Sequence, residues 1–153
     1  MSVVPRPRRI PLGMAVHRQL DYPVKVLVAW GEAISGDRKM RDWLMKNGYP
    51  ELGICIFALH LKPDARKWLM ENGHPHLMAV IRGIEGDEKA FEWLDAHDMP
   101  VLRQMAEAGG DEEVLQQMIK EDHRVLALLG LKMWSIKMTI EDDHNDPHKF
   151  SQD

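Results

Sequence analysis

Cysteine is almost missing from this 153-residue chain: Cys55 stands alone. That excludes an internal disulfide and any metal centre built from several thiolates, and it fits a reducing compartment. Phenylalanine and tyrosine are scarce, with three and two copies. Long apolar runs are lacking as well. The longest, Leu52–Leu59, falls far short of the ~20 residues that span a bilayer, so no membrane association is expected. Arg6, Arg8 and Arg9 lie near the N-terminus, but Pro11, Gly13, His17 and Arg18 interrupt any apolar signal core. These absences together lead to the expectation of a cytoplasmic protein.

Tryptophan and methionine are plentiful, with five and eleven copies, and the reason is a repeat. Trp68-Leu69-Met70 is followed by Asn72-Gly73 and Pro75; Trp43-Leu44-Met45 by Asn47-Gly48 and Pro50; Trp93-Leu94 by His97-Asp98 and Pro100. The three copies are 25 residues apart. A worn fourth copy places Met118-Ile119 at the Trp-Leu position, with Asp122-His123 after it.

Each unit reads as two helices. Helix A opens at Asp37, Asp64, Asp87 and Asp111, because an aspartate side chain accepts from a free first-turn N–H. Its apolar stripe follows helical spacing, with Met40, Ala65, Ala90 and Leu115 three residues before the Trp or Met position. Asn-Gly ends it, since both residues tolerate a left-handed backbone. Helix B begins near Pro50, Pro75 and Pro100, where proline's missing N–H costs nothing. Leu52, Leu77 and Leu102 follow two residues later. Val24 to Ile34 is rich in Val and Ile, but its later counterparts have helical composition, so it too is expected to be a helix.

The expected fold is all-α: a short right-handed α-solenoid of about four helix-turn-helix repeats. One helix pair of 25 residues cannot bury its own stripe, so neighbouring units must stack. Residues 1–10 read as a flexible lead-in and 11–140 as the repeat domain. Within the latter, Arg124 to Ile140 is a final helix capping the stack, and 141–153 form a disordered acidic tail. The Trp ladder is placed inside, so Trp68→Ala should cost ~3–5 kcal/mol.

PHLMAVIRGIEGDEKAFEWL, Pro75 to Leu94, resembles the ankyrin repeat. The shared pattern is a Pro and Leu opening one helix, a Gly-Asp junction, and a second helix ending in Trp-Leu. The unit here is shorter than ankyrin's ~33 residues and leaves no room for its projecting hairpin. A HEAT-like helical-repeat group fits equally well. The resemblance implies a protein-binding role.

Charge is unevenly spread. Residues 1–75 hold 12 Lys and Arg against 7 Asp and Glu; residues 76–153 hold 8 against 17. Arg38, Lys39, Arg41, Lys46, Arg66 and Lys67 form a basic cluster on the first two A helices. A phosphate-tracking groove would need later units to match, and they carry Glu88, Glu92, Asp95, Glu112 and Glu113 instead. His74, His76, His97 and His123 lie in A–B turns, where capping explains them better than metal binding. His144 and His148 fall among acidic residues of the tail, a solvated segment. Cys55 sits in an apolar run, where thiols are inert. Gly83-x-x-Gly86 follows no strand, so the phosphate-loop reading fails its context test.

No catalytic set emerges, and no cofactor or enzymatic activity is expected. The functional expectation is a non-catalytic protein-binding module using its helix B face or a turn edge, with Arg38, Lys39, Arg41, Arg66, Lys67, His74 and His76 as the candidate surface. Nucleic-acid binding by the basic N-terminal half is the alternative. A homodimer through the apolar Leu128–Trp134 segment is a further expectation.

Overall fold

In the computed structural model residues 20–145 are described, with side chains through residue 143. Expectations about residues 1–19, including the lead-in and a short first helix, lie outside the described residues, as does the tail after 145.

The described chain is a succession of helices and is an all-α solenoid. They are α1 (Val24–Ile34), α2 (Arg38–Lys46), α3 (Pro50–Leu59), α4 (Pro63–Glu71), α5 (Pro75–Ile84), α6 (Glu88–Ala96), α7 (Pro100–Glu107), α8 (Glu112–Lys120) and α9 (Arg124–Asn145). Even-numbered helices are the A helices. Odd-numbered ones are the B helices, with α1 as a B helix lacking a described partner before it. Each B helix packs on its neighbouring A helices and on the next B helix.

The A helices bury one leucine apiece. Leu44, Leu69 and Leu94 have no exposed surface, and their carbonyls accept the N–H of Tyr49, His74 and Met99 across the turn. In the fourth unit the same bond runs from His123 N–H to the carbonyl of the fully buried Met118. Met118 therefore occupies the leucine position, not the tryptophan position expected from the sequence. The fourth unit is one residue short because α7 has 8 residues where α3 and α5 have 10, and the turn after it is one residue longer than theirs; the aromatic ladder ends with the third unit.

That ladder is also further out than expected. Trp43 is 38% exposed, and Trp68 and Trp93 are half-buried. Each stacks on a turn residue: Trp43 on Tyr49, Trp68 on His74, Trp93 on His97, with ring centroids 6.5, 5.8 and 3.8 Å apart. The cause is the stripe's width. Adjacent residues on a helix point ~100° apart, and the leucine takes the inward direction.

Three of the four aspartate caps form. Asp37 accepts from the N–H of Lys39 and Met40, Asp87 from Lys89, and Asp111 from Glu113 and Val114. Asp64 does not cap. α4 begins one residue earlier, at Pro63, and the cap position is Lys62, whose side chain accepts nothing.

The largest departure is α9. As expected it packs on the last unit, against α7 and α8, but it also lies against α1, α3 and α5. Gly130 lets it meet α7 closely: a Cβ there would overlap the Met105 carbonyl. Leu129 comes within van der Waals range of Gly31 in α1, 3.4 Å from where a Cβ would sit, and Lys132 Nζ donates to Ser35 Oγ at 2.5 Å. The last helix thus returns to the first and fills the inner face of the solenoid. Ala127, Leu129 and Met133 are buried there. α9 thereby covers much of the inner face of the B helices, and most of the Leu128–Trp134 segment packs within the molecule, with Leu128 its strongly exposed member. The helix also continues past residue 140, through Asn145.

Candidate functional site

The A helices run from the B–A turns to the A–B turns, so the molecule has two turn edges. The candidate residues do not share one. Arg38, Lys39, Arg41, Arg66 and Lys67 lie toward the B–A edge, within the first five residues of α2 and α4. His74 and His76 lie at the A–B edge and are both buried.

At the A–B edge the histidines belong to a polar cluster in the core. Glu51 is completely buried; Tyr22 Oη donates to its Oε1 at 3.2 Å, and His74 Nε2 lies 3.8 Å from its Oε2. The rings of His74 and His76 are 5.9 Å apart. Burial, and then repulsion from His74, push the His76 imidazole down to about 4. A carboxylate, a phenol and two imidazoles could serve acid–base chemistry. Here they tie the entry to α1, the start of α3 and the α4–α5 turn together beneath the stacked Trp68. Glu51 was missed in the sequence, although a lone carboxylate opening the apolar run of α3 was the available signal.

The B–A edge is open. A cleft of about 500 Å³ is lined by Ala33, Ile34, Arg38, Arg41, Phe57, His60 and Lys62, among others. A second, of about 490 Å³, adjoins it through Ile34, Gly36 and His60 and continues along α9 past Lys132, Ile136 and Ile140. Together they make one groove, basic at the α2 end and more apolar along α9. Its single carboxylate at the α2 end, Asp37, is engaged as the α2 cap.

The basic residues differ in how they are held. Arg66 is fully engaged: Nε donates to the Ala58 carbonyl at 3.0 Å, and its two terminal nitrogens donate to Glu85 at 3.0 and 2.6 Å. Lys67 is exposed and forms a loose ion pair with Glu71 at 3.8 Å. Arg38 and Lys39 are exposed. Arg41 lies over the Phe57 ring, 4.6 Å from its centroid, and its Nε is buried with no acceptor within hydrogen-bond distance among the described residues. The Asp42 carboxylate is 3.6 Å away, beyond that range.

Cys55 is wholly buried in α3, and burial pushes its thiol up to about 12, against a smaller opposing effect of Arg66, so it is no nucleophile. Among the described residues no three His, Cys, Asp or Glu side chains are grouped so as to hold a metal ion, and no helix is long and apolar enough to cross a membrane. The side chains of His144 and His148 lie outside the described residues. Comparison with protein families, with curated proteins and with solved structures gave no match.

Proposed function

We propose that this chain is a non-catalytic helical-repeat module, of ankyrin- or HEAT-like kind, that binds a partner protein along the groove at its B–A turn edge. The observation that carries this reading is the continuity of the two clefts, about 500 and 490 Å³, which together form an open concave surface at this end. The groove mixes Arg38, Arg41 and Lys62 with Ile34, Phe57, Ile136 and Ile140. That mixture suits a peptide segment carrying acidic and apolar side chains. A nucleic-acid backbone is less well served. Arg66 and Lys67 are engaged with Glu85 and Glu71, and the later A helices present Glu88, Glu92, Glu112 and Glu113. A reducing compartment such as the cytoplasm accords with the single buried thiol.

The test is affinity capture from the native cell with three baits: the intact chain, an Arg38→Glu/Arg41→Glu variant, and a Glu88→Lys/Glu92→Lys variant altered away from the groove. A protein retained by the first and third but lost by the second is the expected result. Capture of the same set by all three, or of nucleic acid in a groove-dependent manner, would contradict the proposal.

A further inference from the structure

The internal repeat supplies a comparison within one chain. The C-caps of α1, α3 and α5 are Ser35, His60 and Glu85, spaced by 25 residues. At the same spacing Arg41 corresponds to Arg66, and Ala33 to Ala58. Arg66 shows what an arginine does in this position. It bonds the carbonyl near the end of the preceding B helix and clasps the carboxylate at the end of the following one. Arg41 has neither bond. Its Nε is buried without an acceptor, and where the second unit has Glu85 the first has His60. The cleft lined by Ala33, Arg41 and His60 lies where the second unit places its carboxylate.

The turn beside this cleft differs from its two counterparts at every position, and at two of them it replaces a residue that both share. Ser35-Gly36-Asp37 and Glu85-Gly86-Asp87 become His60-Leu61-Lys62. Leu61 takes a left-handed backbone, φ 67°, where Gly36 and Gly86 have φ 115° and 92°. Lys62 replaces a capping aspartate and accepts nothing. A leucine in that region is strained, and an uncapped helix start forgoes a bond. Such departures concentrate where function outweighs local stability. Two of the three substitutions, His60 and Lys62, also remove negative charge or add positive charge at the cleft.

We infer that Arg41, flanked by Arg38 and Lys62, is a binding site for a carboxylate supplied from outside the chain, an acidic side chain of the partner segment standing in for the glutamate that the first repeat lacks. The planar guanidinium takes a carboxylate through paired hydrogen bonds, and the Phe57 ring lies under it, 4.6 Å from Cζ. This inference rests on the groove reading above and names the chemistry of its basic end. A free small carboxylate and an acidic peptide would make the same contact, so the test uses both.

The Arg41 Nε–H resonance of the full chain reports on the site directly. It is followed by NMR at low salt while a six-residue oligoglutamate peptide, and separately succinate, is added. The peptide is expected to shift the Arg41 signal and leave Arg66, already clasped, unmoved. A response to succinate alone would mean a small-molecule site and would overturn the peptide assignment. His60→Glu is the decisive variant. It restores the repeat's own carboxylate, so it should fold at least as stably as wild type and weaken oligoglutamate binding by about tenfold or more. An unmoved Arg41 signal in wild type, or undiminished binding by a folded His60→Glu variant, would overturn the inference. Failure here with groove-dependent protein capture intact would leave partner binding standing without the carboxylate contact. A shifted Arg41 signal with no groove-dependent capture would do the reverse.

Discussion

Leu61 has a left-handed backbone where its repeat counterparts use glycine, and nearly half its surface is exposed, at 47%. Leu61→Gly should therefore stabilise the fold by about 0.5–1 kcal/mol, the relief of backbone strain exceeding glycine's entropic cost. A raised urea midpoint would show it. Burial separates the neighbours Trp68 and Leu69 in the opposite sense to their appearance in the sequence. Leu69→Ala leaves a cavity at a site with no exposure and should cost about 2–5 kcal/mol. Trp68→Ala removes a half-exposed ring stacked on His74 and should cost less, about 2 kcal/mol. Denaturant unfolding of the two variants side by side gives the order. His76 makes stability depend on pH. Its folded imidazole is held down to about 4, against 6.5 for the ordinary group. Between those values the unfolded chain binds a proton that the folded one refuses, so the contribution is full above 6.5 and is lost as pH falls toward 4. The gap in unfolding midpoint between pH 7 and pH 5 should be narrower in His76→Asn than in wild type.

At the scale of the helix, the sequence was legible wherever the physics is local. Aspartate caps at Asp37, Asp87 and Asp111, prolines at the start of B helices, and leucine spacing all appear where their periodicity put them. Misplacement arose where one residue of register decides direction. Trp and Leu are adjacent in three units, and both suit a core. Only the turn bond to the leucine carbonyl shows which faces inward. The missing residue near α7 moved Met118 from one position to the other without leaving a local mark. The basic site was partly legible for the same reason. Arg41 and Arg66 look alike in sequence, and what distinguishes them is the residue at the end of the following helix, 19 positions on, His60 in one case and Glu85 in the other. Helix crossing brings a further prediction. Gly130→Ala would force α9 off the α7 backbone at the Met105 carbonyl, and should cost about 1–3 kcal/mol by thermal unfolding.

Over the whole molecule the governing feature is the return of α9 to α1. A stack of repeats is a one-dimensional object whose ends can unfold separately. Packing α9 against α1, α3, α5 and α7 ties the ends to each other and covers the inner face, while the groove at the B–A edge stays open. The sequence announced α9 as long and apolar but not where it goes. That destination depends on curvature accumulated over all the units, which no single repeat encodes. Because Cys55 is buried and its thiol is held up to about 12, a spin label added at Glu32→Cys, an exposed α1 position that leaves the Lys132–Ser35 bond in place, should react at the new site alone. In a straight stack α9 would be four helix spacings from α1, about 40 Å. Paramagnetic broadening of backbone amides by that label is the direct measurement. Strong broadening at Lys132 to Ile136 is the result the closed arrangement predicts; broadening confined to α1, α2 and the turn between them, with α9 unaffected, would contradict it.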